Sequence, residues 1–148
     1  MSNSIRFYST KVSPEASLAE VATLLRRYGA QRFEQVWDGF GRVSAVRFNL
    51  PVVEAELGFM SVLLKPKTEY LAERLFEVHK IDDAEQVERV AWRQLKGILE
   101  GVLLAIDTGM FTAPELLLGM AETPTGATLW EVFLERPEVL LLTDGGAP

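Results

Sequence analysis

Residues 82–109, DDAEQVERVAWRQLKGILEGVLLAIDTG, decide the fold of this chain. Apolar side chains recur there at steps of three and four residues, which predicts one face of an α-helix. They are Val87, Ala91, Leu95, Ile98, Val102, Ala105 and Ile106, and this face is widened by Val90, Trp92, Leu99, Leu103 and Leu104. Because little of the last two turns is then polar, we predict a long helix at the centre of the hydrophobic core.

Specific residues mark both ends of this helix. Asp82 and Glu85 have the spacing of a capping box, in which each side chain accepts a hydrogen bond from a backbone N–H of the first turn. Gly109 can adopt the left-handed conformation that closes many helices. The helix is therefore expected to lie within residues 82–109.

The composition is typical of a globular protein. The 148 residues are 48% hydrophobic and 24% charged, which predicts one domain over residues 1–148. The absence of cysteine excludes disulfides and thiolate metal sites. No apolar run reaches the roughly 18 residues of a membrane span, and the first residues lack the apolar middle of a signal peptide. We therefore expect a soluble cytoplasmic protein that does not bind membranes.

The net charge of −6 is unevenly distributed. Residues 1–80 hold 11 Lys and Arg against 9 Asp and Glu, whereas residues 81–148 hold 4 against 12. An acidic chain is an unfavourable starting point for nucleic-acid binding, because neutralising phosphates supplies most of the non-specific affinity. Only the mildly basic first half keeps that function open.

The first part of the chain predicts a strand and then a helix. Ile5–Val12 is rich in β-branched and aromatic residues, which favour strands. Ser13 followed by Pro14 is a typical helix start, and Ser17 begins a competing capping box one turn later. This helix is expected to run to about Tyr28.

Residues 32–50 predict a β-hairpin. Polar and apolar side chains alternate over residues 32–37 and 42–50, and Asp38-Gly39-Phe40-Gly41 between them has the composition of a turn. The residues of the second strand that we expect to face the core are Ser44, Val46, Phe48 and Leu50. Residues 58–64 predict a third strand of this group, and residues 52–57 fit either a strand or a loop.

The remaining residues predict helices. One helix is expected over about residues 67–80, and two short helices follow the capping boxes at residues 112–115 and 128–131. An apolar run at residues 139–142 is expected to dock on the core, before a frayed end at residues 144–148.

Strands first and helices second favour an α+β fold. We predict a small antiparallel or mixed sheet of three or four strands, ordered β-α-β-β-β. It packs against a C-terminal helical half that contains the long central helix. The sheet half covers about residues 1–80 and the helical half about residues 81–143.

No motif predicts a reaction. His79 is the only histidine, and as a general base it would need a partner that the sequence does not indicate. Glu69, Glu73 and Glu77 lie at helical spacing, which is typical of a solvated face. The glycines of the hairpin turn precede a strand, whereas a phosphate loop precedes a helix. We expect no catalysis, no cofactor and no metal, with a hydrolase of unrecognised type as the second alternative.

Arginines and aromatic residues are interleaved only in the first half of the chain. A sheet that carries both can stack on bases and bind phosphates. A nucleic-acid-binding face is therefore the first alternative, and its candidate residues, which serve equally for a protein partner, are Arg26, Arg27, Arg32, Trp37, Phe40 and Arg42.

Three stretches together resemble an uncharacterised family of small proteins of tailed bacteriophages and prophages. They are the run Glu88–Lys96, the segment Leu103–Met110, and Thr128–Phe133 after a short helix. The chain also shares an early Tyr-x-Thr-Lys pattern at Tyr8–Lys11 with this family. The resemblance implies a phage-encoded accessory protein in the host cytoplasm, and it brings no activity or functional residue with it.

These observations favour a non-enzymatic function. The leading hypothesis is an accessory protein that binds a macromolecular partner, a host or phage protein, through a charged docking surface. It would act as a monomer or a homodimer. An exposed aromatic patch on the helical half would support this hypothesis.

Overall fold

The computed structural model describes residues 3–52 and 58–139 of the chain. The helices are α1 (Pro14–Arg27), α2 (Glu69–His79), α3 (Ala84–Asp107), α4 (Ala113–Leu117) and α5 (Leu129–Leu134). The strands are β1 (Gln31–Trp37), β2 (Val43–Val52) and β3 (Gly58–Leu64), and short 3₁₀ turns form at Leu118–Met120 and Pro137–Val139. The strands pair in an antiparallel sheet of order β1-β2-β3. The predicted α+β fold, with a small sheet before a helical half, is confirmed.

The main hydrophobic core lies between the sheet, α1 and α3. Its largest fully buried side chains are Trp92 on α3 and Phe48 on β2, and they pack in one cluster with leucines and valines of α1. The predicted core face of β2 is confirmed for Val46, Phe48 and Leu50. Ser44 is exposed instead, because it lies near the hairpin turn, where its hydroxyl donates to the carbonyl of Val36.

The long helix α3 occupies the predicted stretch, with two corrections. Its N-cap is Asp83, whose carboxylate accepts from the backbone N–H of Glu85, so the predicted capping box of Asp82 with Glu85 is wrong. The apolar face is also narrower than predicted, because Ile98 and Leu104 are exposed. Gly109, with a φ of +77°, follows α3 as predicted.

The predicted strand at Ile5–Val12 is wrong. This segment belongs to the N-terminal strap, residues 3–12, which forms turns rather than a strand. Phe7 has a positive φ of 68°, far from the extended backbone of a regular strand. The side-chain amide of Gln86 on α3 donates to the carbonyls of Tyr8 and Thr10 at 2.9 Å each. The strap therefore gains backbone partners from a helix instead of from a neighbouring strand.

Helix α1 begins at Pro14, as predicted. The Ser13 hydroxyl caps it by accepting from the backbone N–H of Ala16 at 3.1 Å. The competing start at Ser17 is wrong, because Ser17 lies inside the helix and is fully buried. Its hydroxyl oxygen has no hydrogen-bond partner within the described residues. The helix ends at Arg27, and Gly29, with a φ of +87°, allows the chain to turn into β1.

Replacing Ser17 by alanine is expected to raise the free energy of unfolding by about 1 kcal/mol. The buried hydroxyl has lost its hydrogen bonds to water and has gained none within the described residues. Alanine is also the better helix former. Urea denaturation followed by circular dichroism measures the change. The matched control is Ser13→Ala, which removes the N-cap and is expected to lower stability by about 1 kcal/mol. A loss of stability in Ser17→Ala would contradict this account.

The hairpin and the third strand are confirmed, and β2 continues through Pro51. β1 does not extend along β2 as far as Pro51, since its first residue, Gln31, pairs with Asn49. Pro51 therefore faces no strand on the side of β1 and remains paired with Phe59 on β3. Of the ambiguous stretch 52–64, Val52 belongs to β2 and residues 58–64 form β3, while residues 53–57 lie outside the described residues.

The C-terminal half joins the sheet through a short extended segment. Ala121 forms an isolated antiparallel bridge with Val62 of β3, and Glu122 forms another with Thr128. The predicted capping boxes of α4 and α5 are both present, at Thr112 with Glu115 and at Thr128 with Glu131. The helix predicted from about residue 67 begins slightly later, at Glu69. The predictions for residues 140–148 lie outside the described residues.

Candidate functional site

The six predicted binding residues are all exposed, and they lie in two groups. Trp37 and Arg42 line one cavity beside Pro14, at the N-terminal end of α1. The 14-residue helix places its other end, with Arg26 and Arg27, about 20 Å from Pro14. Arg32 lies near the start of β1, on the side of Arg26 and Arg27. Phe40 lies in the hairpin turn at the other end of β1, on the side of Trp37 and Arg42. The structure therefore does not gather the four arginines with the aromatic residues.

The cavity beside Trp37 has a mixed charge. It encloses about 350 Å³ and is lined by the carboxylates Glu15, Glu85 and Glu88 as well as by Arg42 and Arg89. Three carboxylates against two guanidinium groups repel a phosphate backbone more than they attract it. This environment disfavours nucleic-acid binding at the cavity, although the aromatic rings above it are accessible.

The hairpin turn is built around Asp38. Its carboxylate oxygen accepts from the backbone N–H groups of Phe40 at 2.8 Å and Arg42 at 3.0 Å. These bonds, from Arg42 and then Phe40, hold the pKa of the Asp38 carboxyl below its ordinary value. The backbone donors that a phosphate would need are thus occupied by a side chain of the turn itself. The interpretation of this segment as a turn rather than a phosphate loop is confirmed.

Exposed apolar side chains gather in the C-terminal half. We define the C-terminal apolar patch as Leu118, Met120, Trp130 and Leu134, which are 50%, 38%, 43% and 56% exposed. Trp130 and Leu134 lie one helical turn apart on α5. The turn Leu118–Met120 lies directly beside them, because a Cβ placed on Gly119 would lie 3.9 Å from the Cβ of Trp130. One aromatic side chain and three aliphatic or thioether side chains are thus exposed on two adjacent elements of the helical half.

Acidic side chains dominate the surroundings of this patch. Arg136 is the single cation within residues 112–139, whereas the acidic residues there are Glu115, Glu122, Glu131, Glu135 and Glu138. Lys65 reaches this region from the end of β3 and pairs with Glu131 at 3.0 Å. Acidic residues thus outnumber cations in the segment that carries the patch, although Glu122, Glu131 and Glu138 are paired with Arg47, Lys65 and Arg136.

The C-terminal half is anchored to the sheet through Glu122. Its two carboxylate oxygens accept from Nε and Nη2 of Arg47 on β2 at 2.7 and 3.0 Å, and the Ser61 hydroxyl donates to it at 3.1 Å. The hydrogen bond from Arg47 is the main reason why the pKa of Glu122 lies below its ordinary value. Sequence reasoning did not identify this anchor, since the three residues lie far apart in the chain. Its effect is to hold the turn Leu118–Met120 and α5 in a constant position.

Glu131 caps α5 and is expected to make stability depend on acid pH. Hydrogen bonding to the Thr128 backbone, and then to Lys65, lowers its pKa from 4.5 to about 2. Since the folded-state pKa is depressed, its stabilisation is complete above about pH 4.5 and is lost as the pH falls towards 2. Replacing Glu131 by glutamine should flatten the loss of stability across this interval, as measured by urea denaturation at several pH values. Glu135→Gln, on the same helix but outside the cap, is the control. Equal slopes in both variants and the parent chain would contradict this role.

His79 has a structural environment. Its Nε2 accepts from the backbone N–H of Ile5 at 3.0 Å, and its ring stacks on Tyr8 with centroids 3.7 Å apart.

Within residues 3–52 and 58–139, no three His, Asp or Glu side chains are placed to hold a metal ion. The hydrolase hypothesis requires an acid with a raised pKa. The carboxyl groups whose pKa shifts in the described part are all lowered, by caps or ion pairs, and are Glu20, Asp38, Glu115, Glu122 and Glu131. That hypothesis therefore gains no support here.

None of the helices in the described part of the chain is both long and apolar enough to span a membrane. This includes α3, whose 24 residues carry charged side chains along most of their length.

Comparison with known proteins found no matching family model, no similar curated protein and no similar solved structure. The resemblance to tailed-phage proteins, which depends on stretches such as Tyr8–Lys11 and Glu88–Lys96, therefore stays a prediction. The surface of this chain on which neighbouring elements expose several apolar side chains is the C-terminal apolar patch.

Proposed function

We propose that this protein acts by binding a macromolecular partner, without catalysis, through the C-terminal apolar patch. The observation that carries the proposal is the exposure of Trp130, at 43%, beside Leu118, Met120 and Leu134. Exposed apolar groups that gather on one surface are typical of interaction sites, whereas single exposed apolar residues are ordinary. Tryptophan is also among the residues that contribute most to binding in protein interfaces.

The charges near the patch indicate which kind of partner would fit it. Residues 112–139, which carry the patch, contain five glutamates and one cation, so a protein with an apolar pocket and a rim of lysine or arginine fits this surface best. A basic rim would also steer the encounter and make the association rate fall with rising salt. In the phage setting that the sequence resemblance implies, the partner would be a host or phage protein in the host cytoplasm.

The anchor at Glu122 supports the same proposal. A binding surface loses less entropy on association when its side chains are held before the partner arrives. Arg47 and Ser61 fix Glu122, and the bridge of Ala121 with Val62 fixes the neighbouring turn on the sheet. The patch is therefore presented on a rigid base.

Capture from a bacterial host lysate at moderate salt, with and without nuclease, tests the proposal. The immobilised chain is expected to retain a defined protein after nuclease treatment, and the variant Trp130→Ala is expected to lose it. Trp37→Ala is the matched control. Trp37 is also an exposed tryptophan, at 59%, but it lies on β1, outside the C-terminal apolar patch. Retention of the same protein by Trp130→Ala would contradict the assignment of the patch.

Nucleic-acid binding at the hairpin end of the sheet is the alternative function. Its support is the exposure of two aromatic side chains near Arg42, namely Trp37 at 59% and Phe40 at 92%. Exposed rings stack on unpaired bases, and an arginine beside them can bind a phosphate. This function predicts the opposite outcome of the capture experiment. The retained material would disappear with nuclease, would fall with rising salt, and would depend on Trp37 rather than on Trp130.

A further inference from the structure

A second concave site lies between the N-terminal strap, the end of α2 and the first turns of α3. This depression, which we call the strap cavity, is largely open to solvent and has a volume of about 570 Å³. Cavities of roughly 300–1,000 Å³ are the usual size of small-molecule sites. The side chains that line it and could meet a ligand are Tyr8, Ser9, Thr10, Lys11, His79 and Arg89. It is independent of the C-terminal apolar patch.

The lining of the strap cavity is basic. Lys11 of the strap and Arg89 of α3 contribute two cations, and no carboxylate lines the cavity within the described residues. This is unusual in a chain with a net charge of −6. Asp83 forms an ion pair with Arg89 at 3.7 Å, a distance beyond that of a hydrogen bond. Glu85 and Glu88 line the separate cavity beside Trp37, which shares Arg89 with the strap cavity. The cavity is therefore suited to an anion.

Hydrogen-bond donors accompany these cations. Because Nε2 of His79 accepts from the N–H of Ile5, the proton of the neutral imidazole lies on Nδ1, which is then a donor. The Thr10 hydroxyl accepts from the backbone N–H of Val12 at 3.2 Å, which leaves its own proton available. Charged and neutral donors around one space match the several acceptor oxygens of a phosphate group.

The walls of the cavity are held in place by Gln86. Its amide nitrogen binds the carbonyls of Tyr8 and Thr10, and its amide oxygen accepts from Nε of Arg89 at 2.8 Å. One side chain therefore fixes the strap and the guanidinium group together. Prearranged donors bind a ligand with a smaller loss of entropy than mobile ones.

An aromatic surface lies next to the donors. The rings of Tyr8 and His79 are parallel within 3° and cover one face of each other, yet Tyr8 remains 36% exposed. The part of the phenol ring that His79 does not cover is therefore open to a planar group. A planar group attached to a phosphate can stack there while the phosphate reaches the cations.

We propose that the strap cavity binds a phosphate monoester of mononucleotide size. The phosphate lies between Lys11 and Arg89, and its planar organic group lies against Tyr8. The strap is thus a ligand-binding element, which no sequence pattern indicated.

Titration of the complete ¹⁵N-labelled chain with adenosine monophosphate, followed by NMR at constant ionic strength, tests this proposal. Saturable shifts are expected for the backbone amides of residues 8–11 and 86–89. Inorganic phosphate should shift the same amides more weakly, because it lacks the planar group, and adenosine should bind at least about tenfold more weakly than the monophosphate.

The decisive variant is Lys11→Met, which keeps the length of the side chain and removes its charge. It is expected to raise the dissociation constant at least about tenfold, the effect of losing one charge-assisted hydrogen bond. Lys67→Met, at the opposite end of α2 from the cavity, makes the same change and should leave the constant unaltered. Equal constants for the two variants, shifts spread over distant lysines, or no saturation would each overturn the proposal. Both lysines are exposed, so neither variant is expected to affect folding.

Discussion

Replacing Trp92 by alanine is expected to lower the free energy of unfolding by about 3–5 kcal/mol, the usual cost of truncating a buried tryptophan. Trp92 is 2% exposed and belongs to the same core cluster as Phe48 of the sheet and Leu18 of α1. The indole thus packs in the core that the sheet, α1 and α3 share. Its removal leaves a cavity that none of these elements can fill without moving another.

Urea denaturation followed by circular dichroism measures this loss, with the slope against denaturant checked for constancy. Trp130→Ala makes the identical chemical change on the exposed patch and is expected to cost less than about 0.5 kcal/mol. A domain of this size has a total stability of about 5–15 kcal/mol, so Trp92→Ala is expected to leave it only marginally folded. A cost below about 1 kcal/mol would contradict the central position that we assign to α3.

Replacing Trp130 by alanine is expected to weaken partner binding by about 30-fold or more, which corresponds to the 2 kcal/mol of a binding hot spot. The reason is that the indole, with Leu134 one turn away and Gly119 of the neighbouring turn beside it, lies at the centre of the patch. Such central aromatic side chains are completely desolvated on binding. The effect should appear mainly as faster dissociation.

Surface plasmon resonance with the captured partner measures this effect. Trp37→Ala is the control and is expected to change the dissociation constant by less than about twofold, because this tryptophan lies at the hairpin end of β1. A variant of the acidic segment that carries the patch, Glu138→Gln, should mainly slow association at low salt. If Trp37→Ala weakened binding as much as Trp130→Ala, the interface would not be confined to the C-terminal apolar patch.

Local patterns predicted the helix starts well, because a cap involves only residues within three positions of one another. The N-cap at Ser13 and the capping boxes at Thr112 and Thr128 are all present. Asp83, rather than Asp82, caps α3. The prediction missed by one residue because either of two adjacent aspartates can serve as an N-cap. The alternation of the hairpin likewise identified the core residues of β2, since side chains of a strand alternate between its faces.

Patterns failed where the deciding contacts were distant. The segment Ile5–Val12 has the composition of a strand, but Gln86, more than seventy positions away, supplies hydrogen bonds to its carbonyls. Strand composition describes a side chain that fits a pleated surface, and it does not specify which partner the backbone will find. For the same reason the sequence did not reveal the strap cavity, whose basic residues come from separate elements.

For the candidate site, too, the sequence predicted local features and missed the arrangement of distant segments. The sequence identified Trp37 and Arg42 as exposed candidates, yet it grouped them with Arg26 and Arg27, which α1 carries to the other end of the sheet. It also predicted that Trp130, on a short helix, packs against the protein, whereas this side chain is 43% exposed. Exposure depends on which elements cover a residue, and that is a property of the packed molecule.

The sequence by itself determined the α+β class, most of the helix starts and most of the inner face of β2, because these depend on side chains that are neighbours along the chain. Only the tertiary structure decided the strap, the anchor of Glu122 on Arg47, the position of the arginines and the exposed apolar patch. Each of these depends on contacts between segments that are distant in sequence. The periodicity of a single segment specifies which of its faces is apolar, but the contacts between segments determine which apolar residues remain exposed for a partner.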